Sequence, residues 1–234
     1  SLTKLMTPSL INKLNQITRL INLASFLVFM SKGIFIVLDG MDGSGKSEMV
    51  KLLGSYISSN NKDCNVLATR EPSEGVYGKE IRDILAQEED PKINGKRLLE
   101  LFIKDREDHL KKEVVPFLNK TDKVKNIVIC DRYYYSTIAF QATQGLDIKM
   151  LIEVNKGFLK PDLALILNIK PEIALERIKT RKKEKFEKLE FMKKLRKKFL
   201  EMPKLLNDNI RIIDASKSKE EVFRDIKEEI ECII

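Results

Sequence analysis

The sequence predicts an α/β protein of three layers, a five-stranded parallel sheet flanked by helices. Three observations carry that expectation. Five short runs of Ile, Val and Leu lack polar alternation; strands covered on both faces read that way, and such coverage marks a parallel sheet. Stretches of helical period separate the runs, so the chain reads βαβα. The first run leads straight into a glycine-rich turn and a helix, the order of a phosphate-binding loop. At 234 residues, 43% hydrophobic and 33% charged, the chain suits one buried core and is not disordered in composition.

From the amino end, residues 1–30 stand apart. Residues 1–38 hold no acidic residue but carry Lys4, Lys13, Arg19 and Lys32, with an apolar run at 20–30. Asn22 and Ser25 interrupt a run already shorter than the ~20 apolar residues of a membrane span. No evident small-residue cleavage site follows, as it would in a signal peptide. The segment is expected to be an N-terminal extension, either an accessory amphipathic helix or a non-native start, ahead of one domain at 31–234. No stable membrane insertion is expected.

The apolar runs place strands at 34–38, 64–68, 127–130, 163–169 and 210–213. Helical period places helices at 46–58, 76–86, 95–118, 147–158, 171–181, 184–201 and 219–233. Helix 184–201 lies in the densest basic stretch, 180–198, where Lys and Arg are interrupted by Glu184, Glu187 and Glu190. Two readings stay open for it: a solvated helix face, or a mobile segment that clamps phosphates. The net charge of +8 fits an anionic small substrate, and no nucleic-acid motif accompanies the basic stretch. Cys64, Cys130 and Cys232 are odd in number and lack metal-ligand spacing, which is expected of free thiols in a reducing compartment. His109, the only histidine, reads as a helix-surface residue.

Gly40-Met41-Asp42-Gly43-Ser44-Gly45-Lys46-Ser47 fits the pattern Gly, four residues, Gly, Lys, Ser or Thr. Its glycines allow a tight turn that aims N–H groups at phosphate oxygens, and the helix N-terminus adds favourable partial charge. Lys46 is expected at the β and γ phosphates of ATP and the Ser47 hydroxyl on Mg²⁺. The fold class is therefore the P-loop NTPase fold, although GTPases, ATPases and kinases all use this loop.

Further segments decide among these. Thr69-Arg70-Glu71-Pro72 follows the second strand. Phe102 and Arg106, within Leu101-Phe102-Ile103-Lys104-Asp105-Arg106, are four apart and so share a helix face. Asp131-Arg132-Tyr133 emerges from the third strand's carboxyl end, where open parallel sheets bind ligands. Arg177 and Arg181 lead into the basic stretch, and Asp214-Ala215-Ser216-Lys217 follows the last strand.

In this order, the segments resemble a thymidylate kinase, one of the nucleoside monophosphate kinases, over about residues 33–232. The resemblance implies transfer of the γ-phosphoryl of ATP to dTMP, with a helical lid at about 178–198. It implies Arg70 at the acceptor phosphate, Arg132 at the transferring or acceptor phosphate, Phe102 stacked on thymine, Arg106 at or near the base, and Ser136 and Gln141 lining the thymine pocket. Asp42 would face the acceptor sugar, Asp131 would help organise Mg²⁺ and the acceptor, Arg177 would pack on adenine, Arg181 would meet the ATP phosphates, and Lys217 would lie on the adenine side. A cytoplasmic homodimer acting on small nucleotides is implied as well.

Two positions depart from the family pattern. Some members carry a catalytic Arg in the loop where this chain has Gly43; the lid cations Arg181, Lys182, Lys183, Lys185 and Lys188 are the expected substitutes. Glu48 stands where Thr is usual, and its carboxylate favours the helix but repels a phosphate. A broader dNMP or UMP kinase, and a catalytically degenerate nucleotide-binding regulatory protein, are the alternatives.

Overall fold

The computed structural model describes residues 33–87, 94–121, 124–178 and 189–234. The strands are β1 Ile34–Asp39, β2 Cys64–Arg70, β3 Lys125–Asp131, β4 Leu163–Asn168 and β5 Ile210–Asp214. They form one parallel sheet in the order β2-β3-β1-β4-β5. The helices are α1 Lys46–Asn60, α2 Val76–Gln87, α3 Gly95–His109, α4 Val115–Leu118, α5 Tyr134–Thr143, α6 Ile148–Asn155, α7 Pro171–Ile178, α8 Leu189–Leu205 and α9 Lys219–Glu231.

Burial explains the sheet. Every residue of β1 is buried, as are five of the six residues of β4, because these central strands have helices above and below. The outer strands β2 and β5 are only partly buried. Coverage of all five runs on both faces therefore holds for the three middle strands and fails at the edges, where each strand has one neighbour.

The chain leaves β1 toward one edge and, after β3, crosses back to the other. Strand order thus reverses at β1 and β3, and in such sheets ligands bind beyond the carboxyl ends at that point. Leu38 pairs with Asp131, and Asp131 with Arg70, so the segments that follow β1, β3 and β2 open at one level.

Two features were not expected. α5 has no amphipathic stripe: Tyr134, Tyr135, Thr137, Ile138, Ala139 and Gln141 are all buried, and a helix buried nearly all round loses the period that reveals helices. Helix 95–118 is interrupted by a π-helical turn at Leu110–Val114. Residues 1–30 and the lid cations Arg181, Lys182, Lys183, Lys185 and Lys188 lie outside the described residues.

Candidate active site

The phosphate loop is shaped by contacts that exclude side chains. Gly40 has φ 137° and Gly43 φ 79°, values that L residues rarely adopt. A Cβ on Gly40 would stand 2.6 Å from the Leu167 carbonyl oxygen, and one on Gly43 would stand 2.5 Å from that of Ala174. The loop is therefore pressed against β4 and α7, and an arginine at position 43 has no room. Gly45 begins α1 in the left-handed region, leaving the first N–H groups of α1 without intrahelical acceptors.

Lys46 is buried, and its ammonium donates to the Met41 carbonyl at 3.0 Å and lies 3.9 Å from Asp42 Oδ1. Burial and the neighbouring Arg132 push its pKa down to about 8, against the pull of Asp42, Asp131 and Asp39. A cation held this way gains from a phosphate more than an exposed lysine would.

Ser47 Oγ donates to Asp131 Oδ2. The other carboxylate oxygen, Asp131 Oδ1, is buried without a hydrogen-bond partner. An orphaned carboxylate oxygen beside a hydroxyl, at the mouth of a phosphate loop, suits a hard cation that takes its remaining ligands from phosphates and water. Mg²⁺ fits this donor pair.

Arg132 is the one non-glycine among the described residues with a positive φ, 71°. Its guanidinium donates to the Gly40 carbonyl at 3.1 Å and Ser136 Oγ at 3.0 Å, and pairs with Asp42. The backbone is held from below: Arg132 N donates to the Leu38 carbonyl, while Tyr133 N and Ser136 N donate to Asp39 Oδ2. Asp39, fully buried, also accepts from Gly40 N and Ser136 Oγ. This single carboxylate fastens the phosphate loop to the start of α5. Sequence reading passed over Asp39, although an acidic residue closing an otherwise apolar strand was a visible signal.

Arg106 is buried between Tyr133 and Phe158, with its guanidinium carbon 5.0 and 5.3 Å from their ring centres. It donates to Glu71 at 2.9 Å, Asn155 Oδ1 at 2.7 Å and Thr137 Oγ1 at 3.0 Å. Glu71 in turn meets His109 Nδ1 at 3.3 Å, and His109 Nε2 lies 2.8 Å from Thr69 Oγ1. His109 is thus a core residue and not a surface one: the face of α3 that carries Arg106 and His109 turns toward the carboxylate at the end of β2. Burial lowers the His109 pKa, but the bond to Glu71 and the charges of Glu71, Glu113 and Asp105 outweigh it and leave the pKa raised.

A cavity of about 490 Å³ lies over these strand ends. Of the residues singled out from sequence, Asp42, Gly43, Gly45, Lys46, Ser47, Arg70, Phe102, Arg106, Asp131, Arg132, Ser136 and Arg177 line it. Gly40 and Ser44 sit behind the loop surface. Gln141 is fully buried outside the lining and donates to the Gly95 carbonyl at 2.9 Å; Thr137 and Phe140 of the same helix face the cavity in its place. Lys217 pairs with Asp225 on α9. Arg177 donates to the Ala215 carbonyl at 2.8 Å, tying α7 to the turn after β5. Arg82, Phe191 and Met192 also line the cavity, and no local motif marked them. Arg82 bonds the Pro72 and Ser73 carbonyls at 3.0 and 2.9 Å, supporting the turn that presents Arg70.

Fold and site define a P-loop protein of the nucleoside monophosphate kinase class, with a phosphate cradle and a second, cation-lined half in one cavity. The family model for thymidylate kinase matches residues 38–226. The chain is 38% identical to the probable thymidylate kinase of Pyrococcus horikoshii over 200 residues, covering 83% of this chain and 94% of that protein. It is 39% identical to the probable thymidylate kinase of Methanocaldococcus jannaschii over 198 residues, covering 84% and 95%. With the thymidylate kinase of Desulfotalea psychrophila the identity is 37% over 199 residues, covering 83% and 92%. The chain belongs to the thymidylate kinase family.

Proposed function

We propose that this protein transfers the γ-phosphoryl group of ATP to dTMP, giving ADP and dTDP for dTTP synthesis. The observation that carries the proposal is the continuity of the cavity, in which Lys46 and Ser47 share one space with Arg70, Arg132 and Phe102. A hydrolase needs only the first group. A transferase to a nucleotide needs both, close enough for direct in-line transfer.

The residues divide by position. Loop N–H groups and Lys46 hold the ATP phosphates, with Arg177 on the adenine side. Arg70 and Arg132 hold the acceptor phosphate, Asp42 faces its sugar, and Phe102 stacks on its base. Ser47 and Asp131 hold Mg²⁺, whose charge helps neutralise the β and γ phosphates. Catalysis rests on placing cations where charge develops, with no covalent enzyme intermediate. Arg132 is suited to this because its backbone and guanidinium are fixed before substrate arrives. The lid implied by the family resemblance at about 178–198 includes residues 179–188, which lie outside the described residues.

The proposal extends to residues 31–234 as the kinase domain, residues 1–30 as an extension, and a cytoplasmic homodimer acting on free nucleotides. The free thiols Cys64, Cys130 and Cys232 accord with a reducing compartment. Among the described residues no helix is long and apolar enough to cross a membrane.

A coupled ADP-release assay with ATP, Mg²⁺ and a panel of dTMP, dUMP, dCMP, dGMP and UMP tests the acceptor. The expected order places dTMP first. Equal rates across the panel would replace thymidylate selectivity by a broad specificity.

A further inference from the structure

The first turn of α1 contains a carboxylate where the phosphate loop gathers anions. Glu48 lies two residues past Lys46, is exposed, and lines the cavity. Alone it would oppose the charge of a triphosphate at short range.

It is not alone. Lys219, 171 positions later in the chain, donates from Nζ to Glu48 Oε1. Lys219 is the first residue of α9, directly after the Ser218 cap and its capping box with Glu221. A cation in the first turn is disfavoured by the helix's own partial positive charge. Local helix physics therefore gives no reason for a lysine there, whereas the contact with Glu48 does. Lys51, one turn along α1, lines the same cavity and adds its charge to the pull on Glu48. The pair joins α1 to the helix that follows the turn after β5, the turn already tied to α7 through Arg177 and the Ala215 carbonyl.

We propose that Lys219 is a donor-nucleotide positioning residue, which neutralises Glu48 and leaves the phosphate-loop end of the cavity with a net attraction for the ATP phosphates. This rests on the reading of that end as the ATP site. The acceptor half, around Arg70 and Phe102, is not involved, so the effect belongs to ATP and not to dTMP.

The test is a double-mutant cycle on the full chain with Lys219→Ala, Glu48→Gln and the double variant. ATP binding is measured by calorimetry without acceptor, and KM for ATP and for dTMP in turnover. Lys219→Ala is expected to weaken ATP binding about fivefold at low salt, the size of a single helix-end charge effect. Glu48→Gln in the same chain is expected to restore binding to within about twofold of wild type, because the uncompensated carboxylate is then gone. KM for dTMP and kcat at saturating ATP should be unchanged in all three, and the loss in Lys219→Ala should shrink as salt screens the charges. Unaltered ATP binding in Lys219→Ala, or a loss that persists in the double variant, overturns the inference. Failure of the wild-type chain to bind ATP overturns the kinase reading itself, and this inference with it.

Discussion

Arg132 occupies a left-handed conformation that disfavours every residue with a Cβ by about 1–2 kcal/mol, and it persists because Asp39 and Leu38 hold the backbone on either side. Such strain places one guanidinium between the phosphate loop and the acceptor half before substrate arrives. Arg132→Ala is expected to lower turnover at least ~100-fold with a circular dichroism spectrum like that of wild type. Near-normal turnover would remove Arg132 from the chemistry. Lys46 makes a second prediction. With its pKa near 8 in the free protein, phosphates bound beside it raise that value again. ATP binding at pH 8 should then take up about half a proton, falling toward zero at pH 6 where Lys46 is already charged. Calorimetry in buffers of different ionisation enthalpy measures this; uptake equal at both pH values would contradict it. Glu71 is buried against both Arg106 and His109. Glu71→Gln leaves Arg106 without its counter-charge and is expected to destabilise by about 3 kcal/mol in urea unfolding. His109, its pKa raised by these partners, contributes stability that is full below its unfolded value near 6.5 and is lost as pH rises through its folded value. The stability gap between wild type and His109→Gln should therefore be widest near pH 6 and narrow toward pH 9.

At the scale of elements, the phosphate loop was legible because its chemistry is local: glycines, lysine and serine within eight positions dictate turn, helix start and ligand together. The contact that makes Gly43 obligatory was not, because the Ala174 carbonyl comes from α7, over a hundred residues away. Gly43→Ala is expected to lower stability by about 1–3 kcal/mol, with ATP affinity falling as the loop is pushed off α7. Thermal unfolding with and without ATP checks both effects; an unchanged ligand-induced shift would show that the loop tolerates a side chain. The apolar runs placed all five strands, since β-branched residues without polar alternation have few other uses. They did not separate central strands from edge strands, a matter of neighbours and not of composition. α5 escaped notice for the related reason that its burial is nearly uniform. The face of α3 shows the same limit: the spacing of Phe102 and Arg106 was readable, but whether His109 met solvent or Glu71 depended on where β2 ended.

The whole molecule brings five separated segments to one cavity over one sheet, and their order along the chain was enough to read the reaction. Arg70, Asp131 and Arg132 were visible because strand ends in a parallel sheet are where ligands bind. Arg82 and Thr137 were not, because they act by holding other residues, and support of that kind leaves no local pattern. Gln141 illustrates the converse: a side chain on the right helix, turned inward to the Gly95 carbonyl, while Thr137 and Phe140 face the cavity. In the proposed reaction, one cavity passes a phosphoryl group directly between two nucleotides. The most direct measurement follows the label of γ-labelled ATP, incubated with dTMP, Mg²⁺ and the purified protein, into the separated products. Label is expected in dTDP, with little in inorganic phosphate and none transferred when dTMP is omitted. Label released as inorganic phosphate regardless of dTMP, or retained entirely in ATP, would contradict it.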